Sequence, residues 1–345
     1  MIKPRLACHE QATIRAFRNL SAMRVFRGIP ILAKDFTALT IGNFDGVHLG
    51  HQAMIIRLNE AASRLNLTSC VMIFEPHPRE FFTPDQAPTR LTSLREKLEL
   101  LAELNVERVQ VCHFNFDFAS IGAEDFIARI LNRGLAVRWI LVGDDFRFGA
   151  HRRGNCAMLK DSSVQHGFEV EEMKSYTLGD LRVSSTAIRE ALVAGDLKTA
   201  KYLLGRPYSI SGRVIGGDKL GKKIGFPTAN IQLRHNRPPV SGIFVVKVYG
   251  TDEASPQTEV HGVASLGVRP TVHEDGKPVL EVHLFDFAKE IYGCHLRVDF
   301  LQKLRDEEKY PDLEALARQI GYDVENARKY FLSSQSFEDI KNNIS

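Results

Sequence analysis

The stretch Thr40-Ile41-Gly42-Asn43-Phe44-Asp45-Gly46-Val47-His48-Leu49-Gly50-His51 reads as a buried strand, a glycine-rich turn and the start of a helix. Leu39, Thr40 and Ile41 supply the strand. After His51, Met54, Ile55, Leu58, Ala61, Ala62 and Leu65 recur close to helical spacing. Gly42, Gly46 and Gly50 let the backbone approach a phosphate without interference from a Cβ. A helix N-terminus carries orphan N–H groups and a partial positive charge, which makes it a ready anion site. His48 and His51 beside those donors can neutralise charge building on a phosphate and on a departing pyrophosphate. A His-x-x-His pair by itself equally suits a helix cap or a metal clamp. The glycines, Phe44-Asp45 and the apolar strand ahead of them favour the phosphate.

Working outward, strand-like and helix-like segments alternate. Cys70-Val71-Met72-Ile73-Phe74 is a continuous apolar run, as a central parallel strand covered on both faces requires. It stops at Glu75-Pro76-His77-Pro78, where two prolines forbid further ladder pairing. A helix over 93–104, a strand from Arg108 to Phe114, a helix over 123–133 and a strand from Arg138 to Val142 follow. Such alternation predicts an α/β domain with a parallel, Rossmann-like sheet. Sheets of this kind place ligands at the carboxyl ends of their strands. Three unusual segments sit at such ends: Gly42–His51, Glu75–Pro78 and Gly143–Asn155.

The pattern changes after Gly205-Arg206-Pro207. Gly242–Tyr249, Glu259–Leu266, Val279–Phe287 and His295–Leu301 are β-rich, separated by turn residues and without helices between them. They predict an antiparallel barrel or sandwich. Helical spacing returns from Asp312 to Ser333. The expected organisation is therefore an extension over 1–22, an α/β domain over 23–200 and a β-barrel domain with a terminal helix over 201–345.

A second glycine-rich segment, Gly216-Gly217-Asp218-Lys219-Leu220-Gly221-Lys222-Lys223-Ile224-Gly225-Phe226-Pro227-Thr228-Ala229-Asn230, lies in the β region. It is not a Walker A loop, because Gly-Lys-Ser/Thr is missing from the required register and no long helix follows. On pattern alone it suits either a different phosphate cradle or a solvated turn. In Val279–Leu284, Leu280, Val282 and Leu284 face one way and Glu281 and His283 the other. Glu281 is thus either a solvated strand carboxylate or a base on a polar face. Two phosphate-type motifs in one chain suggest an enzyme running two consecutive ATP-dependent steps.

The bulk numbers bound the rest. A chain of 345 residues suits roughly two domains, and its 44% hydrophobic and 25% charged residues are ordinary for a globular protein. The net charge of +3 resides in residues 1–22, where Lys3, Arg5, Arg15 and Arg18 stand against Glu10. The body carries no basic footprint for nucleic acid. No apolar run approaches the roughly 18 residues of a membrane span. Cys8, Cys70, Cys112, Cys156 and Cys294 are odd in number and lack CxxC spacing, which argues against disulfides and zinc and for the cytoplasm.

The first motif resembles that of the nucleotidyltransferases carrying Gly-x-Phe-Asp-x-x-His-x-Gly-His. Phe74-Glu75-Pro76-His77-Pro78, Val142-Gly143-Asp144-Asp145-Phe146-Arg147-Phe148-Gly149 and Val183-Ser184-Ser185-Thr186-Ala187-Ile188-Arg189 narrow the likeness. All three resemble the FMN adenylyltransferase module of the bacterial bifunctional riboflavin kinase/FAD synthetases. Gly225-Phe226-Pro227-Thr228-Ala229-Asn230 and Glu281-Val282-His283-Leu284 resemble the riboflavin kinase signatures of the same family. The resemblance implies that Gly42, Phe44, Asp45, Gly46, His48, Gly50, His51, Asp145, Ser185, Thr186 and Arg189 bind ATP for adenylylation, with His48 and His51 catalytic. It implies a flavin side at Phe74, His77 and Pro78. In the kinase it implies nucleotide contacts at Gly216, Lys222, Gly225, Thr228 and Asn230, with Thr228 and Asn230 helping to hold Mg²⁺. Glu281 would be the general base, and Arg305 with Tyr310 would lie near flavin or phosphate. Substrates would be riboflavin, FMN and ATP, and the product FAD.

The chain departs from the family pattern twice. Ser265 stands where family members usually carry Asn, and family chains tend to begin near Met23, so residues 1–22 look like an extension from an early start codon. Two rivals remain at this level: an enzyme with one active half, and a flavin carrier without turnover.

Overall fold

The computed structural model describes residues 23–217, 220–234, 237–268 and 278–342. The expectation for residues 1–22 lies outside them. The chain packs as two compact units. One takes in the described residues through Pro88 and Leu94–Ser185, the other Thr89–Ser93 and the residues from Thr186 onward.

The first unit is built on a six-stranded sheet. Its strands are β1 (Arg24–Arg27), β2 (Thr37–Ile41), β3 (Thr68–Glu75), β4 (Arg108–His113), β5 (Val137–Gly143) and β6 (Glu169–Met173). All neighbours are parallel, in the spatial order β1-β4-β3-β2-β5-β6. The central strands are apolar because both faces are covered: all five residues of β2 are buried. Helices α1 (Leu49–Leu65) and α2 (Leu94–Glu103) cover one face through Ile55, Leu58 and Leu101, packed on Val71, Ile73 and Val109. The helical stretch Ala123–Gly134, in wide π turns from Phe126, and α3 (Cys156–His166) cover the other. There Ile127, Leu131 and Leu159 meet Leu39, Cys70 and Ile140. Connections leave β2 toward β3 on one side and reach β5 on the other. The order therefore reverses beside β2, and the crevice at its carboxyl end is where such sheets bind ligands.

The second unit holds α4 (Ser185–Val193) from Thr186 onward, α5 (Leu197–Leu204) and a closed barrel of six antiparallel strands. The strands are β7 (Tyr208–Ile215), β8 (Ala229–Gln232), β9 (Gly242–Tyr249), β10 (Val260–Val268), β11 (Pro278–Leu284) and β12 (His295–Arg305). Going round the barrel they run β7-β8-β11-β10-β9-β12. Phe244, Val246, Leu266, Leu280, Val282, Leu296 and Phe300 are fully buried and fill it. The terminal helix α6 (Leu313–Asn342) begins at Asp312, whose carboxylate accepts from Ala315 N–H. It lays Ala327 and Phe331 on Ile243, Val245 and Val263.

The parallel sheet and the barrel agree with the sequence-based expectation. Four strands of the sheet and barrel were not anticipated: β1, a four-residue exposed strand at the sheet edge, and three others. β6 is a charged edge strand paired only to β5, so it carries no apolar run. β7 contains Gly212, where a Cβ would run into the Gln232 carbonyl, and β8 is only four residues within a glycine-rich motif.

Candidate active sites

The first motif forms a tight turn between β2 and α1. Phe44, Gly46 and Val47 all have left-handed backbone, at φ +48°, +80° and +39°. Glycine adopts this freely, whereas Phe44 and Val47 are held there by burial, each being 1% exposed. Strain maintained in this way belongs to a site whose shape matters more than its local stability. His48 is the N-cap of α1, its Nδ1 accepting from the His51 N–H at 3.3 Å. The two imidazoles stack with centroids 3.6 Å apart, and the Phe44 ring sits 4.8 Å from His51. The capping role open at the sequence level is therefore real, and the same residue brings both rings to the helix N-terminus.

His51 is partly buried, and its Nδ1, shielded from solvent, has no hydrogen-bond partner. Burial first, then the neighbouring His48 and Lys97 charges, hold its pKa well below the ordinary imidazole value. The ring is neutral near pH 7 and offers a phosphate a hydrogen bond. An arriving polyanion would favour the protonated form. Asn43 Oδ1 is a second buried polar atom without a partner in this turn.

Around the turn, Ser185 Oγ donates to the Asp45 carbonyl within the first unit. After β5, Asp144 rather than Asp145 is the anchored member of its pair. It accepts from Ser175 N–H and Oγ, contacts that lower its pKa. Asp145 is exposed and pairs with Arg182 at 3.2 Å. Arg182 was not singled out from the sequence, because a lone arginine before Val183 has no pattern. Thr186 and Arg189 belong to the second unit, where Arg189 Nε donates to the Thr89 carbonyl.

After β3 the Glu75–Pro76 peptide is cis, and His77 caps a short helix, Pro78–Phe82. Its Nδ1 accepts from Arg79 N–H, while Glu80 accepts from His77 N–H. Phe74 packs on Phe114 and Phe118, and Phe81 on Phe114 and Phe116. Phe82 and Phe116 in this cluster are 59% and 78% exposed. From the sequence only Phe74 was singled out, since the other rings come from two further segments, 81–82 and 114–118.

In the barrel, β8, β11 and β10 bring Asn230, Glu281 and Ser265 side by side as direct cross-strand partners. Their chain neighbours Ile231, Leu280, Val282, Ala264 and Leu266 are buried, so this row lies on the outer face. Thr228 Oγ1 lies 3.5 Å from Glu281 Oε2, and His283 Nδ1 meets the Pro227 carbonyl at 2.8 Å. The glycine loop folds against this row. A Cβ on Gly217 would occupy the place of the Asn230 amide, and one on Gly221 would meet the Phe226 carbonyl. Gly216 and Lys222 are exposed on the loop, and Gly225 is left-handed at φ +89°. The loop is therefore a cradle closed on Thr228, Asn230 and Glu281. Arg305 is directed to α6, where Asp323 receives a bidentate pair at 3.0 and 2.7 Å, and it lies over Tyr310 at 5.8 Å.

Thr228, Asn230 and Glu281 present oxygen atoms, the donor type that a hard cation takes. No three His, Cys, Asp or Glu side chains converge as a metal cluster among the described residues. A cation at this row would rely on phosphate oxygens for much of its shell, as Mg²⁺ with ATP does.

Comparison with known proteins agrees with both halves. The family model for FAD synthetase matches residues 32–187 and that for riboflavin kinase residues 204–331. Bifunctional riboflavin kinase/FMN adenylyltransferases are similar along nearly their whole length. The Escherichia coli K12 protein is 45% identical, covering 90% of this chain and 98% of that one. The Haemophilus influenzae protein is 48% identical, covering 93% and 99%. A solved structure described as a macrolide-efflux protein from Streptococcus pneumoniae shares the fold at TM-score 0.74 and 28% identity, over 88% of this chain and 98% of that one. No helix among the described residues is long and apolar enough to cross a membrane. Two family models in the order of the two units, and relatives matched from end to end, place the chain in the family of bifunctional riboflavin kinase/FMN adenylyltransferases.

Proposed function

We infer that this chain makes FMN and FAD in two ATP-dependent steps, one in each half. The carrying observation is the pairing of the histidine-capped glycine turn on a parallel sheet with the Thr228–Asn230–Glu281 row on a closed barrel. In the kinase step the terminal ribityl hydroxyl of riboflavin attacks the γ-phosphorus of ATP. The new P–O bond replaces the bond to the β-phosphate oxygen, ADP leaves, and Glu281 accepts the hydroxyl proton. Thr228 and Asn230 would hold Mg²⁺, which when bound with ATP neutralises charge on the phosphate oxygens. Gly217 and Gly221, packed against Asn230 and the Phe226 carbonyl, position the nucleotide.

In the adenylylation step a phosphate oxygen of FMN attacks the α-phosphorus of ATP, and pyrophosphate leaves. His48 and His51, with the N–H groups of α1, stabilise the charge that builds. Asp45, Gly42, Gly46 and Gly50 shape the turn, Asp145 and Ser185 complete the nucleotide site within the first unit, and the family resemblance assigns ATP contacts to Thr186 and Arg189 as well. Phe74, His77 and Pro78 form the flavin side, supported by the aromatic cluster around Phe114. The domains are proposed as 23–200 and 201–345. The proposed compartment is the cytoplasm, since Cys70, Cys112, Cys156 and Cys294 are free thiols.

The test is chromatography of products from riboflavin, ATP and Mg²⁺, and separately from FMN and ATP. FMN followed by FAD is expected in the first, and FAD with pyrophosphate in the second. FMN alone would leave a single-activity kinase, and flavin binding without ATP consumption would leave a carrier.

A further inference from the structure

Glu307 lies just beyond β12 and has no part in the steps above. Its carboxylate accepts a hydrogen bond from Ser265 Oγ at 2.9 Å. Gly267, two residues further along β10 and so on the same face, lies directly beneath that carboxylate. A Cβ on Gly267 would overlap both of its oxygens. Ser265 and Gly267 thus form a seat shaped for one side chain. The segment that carries Glu307 is tied at both ends, by Arg305 to Asp323 and by Asp312 as the cap of α6.

The seat has a defined place in the kinase row. The row runs Asn230, Glu281, Ser265, Ile243 and Arg305 across five neighbouring strands. Asn230 and the glycine loop occupy one flank of Glu281. The attacking hydroxyl must reach Glu281 with the phosphate beside it, so the rest of the acceptor has to approach over the other flank. That flank is Ser265, with Glu307 above it.

We propose that Glu307, seated on Ser265 and Gly267, is a positioning residue that latches segment 306–312 as a preformed wall on the acceptor side of Glu281. The inference rests on the kinase reading of the barrel. Latched, the segment is ordered before the flavin arrives. Released, it must be ordered during binding, and that cost falls on riboflavin rather than on ATP.

Steady-state kinetics of the full chain, varying riboflavin and ATP separately, test this. Gly267→Ala evicts the carboxylate without removing either hydrogen-bonding group, and Ser265→Ala removes the donor. Each should raise the KM for riboflavin by about tenfold, the scale of one hydrogen bond, with kcat and the KM for ATP changed by less than about twofold. The double variant should be no worse than either alone, because both break one latch. Glu307→Gln keeps an acceptor oxygen and should stay within about twofold of the parent. FMN adenylylation should not change. An unchanged riboflavin KM in both single variants, or an equal rise for both substrates, overturns the latch. Glu281→Ala run alongside separates the levels: if phosphorylation survives it, the kinase reading has failed and the latch with it.

Discussion

At the residue scale, Glu281 and His51 separate the two activities. Glu281→Ala should slow riboflavin phosphorylation by roughly 10²–10⁴-fold, the usual contribution of a general base, and leave FMN adenylylation near normal. Parallel assays on one preparation check this; equal loss of both would indicate a damaged fold. His51→Ala should reduce FAD formation by about 10²–10³-fold while FMN still accumulates from riboflavin. His51 also predicts a pH effect. Its folded pKa is depressed by burial and by the His48 and Lys97 charges, so the unfolded chain binds the proton more readily. Stability of the first unit should hold above about pH 6.5 and fall as pH drops from there toward the folded value. His51→Gln should flatten that slope in thermal unfolding followed from pH 7.5 to 5.5. Persistence of the slope in the variant would assign it to another group.

At the element scale, the Arg305–Asp323 pair joins the last barrel strand to α6. Asp323 is 4% exposed and Arg305 18%, so each depends on the other for its solvation. Asp323→Ala leaves a mostly buried guanidinium without its carboxylate and should destabilise the barrel unit by about 3 kcal/mol. Calorimetry should show this as a lowered Tm for the second unit, with the first unaffected. The sequence marks Arg305 for flavin or phosphate. In the structure Arg305 also pairs with Asp323 on α6, and Glu307, two residues later, accepts a hydrogen bond from Ser265 in the kinase row. Period-2 patterning cannot reveal this, because the pairing partner of Arg305 lies 18 residues away on a helix.

At the scale of the whole molecule, α5 decides where the barrel can be cut. Leu197, Ala200, Leu203 and Leu204 are buried, and Asp196 caps the helix by accepting from Thr199 N–H. The expected boundary near residue 200 falls inside this helix. A fragment of 195–345 keeps the helix and its cap and should phosphorylate riboflavin at close to the rate of the full chain. A fragment of 205–345 exposes the apolar face that α5 covers. Losing several buried aliphatic side chains, each contributing about 1.5–3 kcal/mol, should leave it insoluble or unfolded. Circular dichroism and FMN production from the two fragments check this. A fully active, folded 205–345 would show that α5 is dispensable.

The sequence by itself determined the parallel sheet, the barrel and the two phosphate motifs. Each is written locally: apolar runs such as Cys70–Phe74 are sufficient for a strand covered on both faces, and glycine spacing is sufficient for a turn that must approach phosphate. It also singled out His48, His51, Thr228, Asn230 and Glu281 as candidates, since each lies inside a contiguous motif. Only the tertiary structure decided which distant residues serve those motifs. The cross-strand register set Ser265 beside Glu281, the loop after β12 carried Glu307 onto Ser265 and Gly267, and Asp144 rather than Asp145 found Ser175. Burial, which no pattern of spacing encodes, left His51 neutral with an unpaired nitrogen. The elements follow from local periodicity and turn chemistry. The partners follow from register and burial, which exist only once strands far apart in the chain have paired.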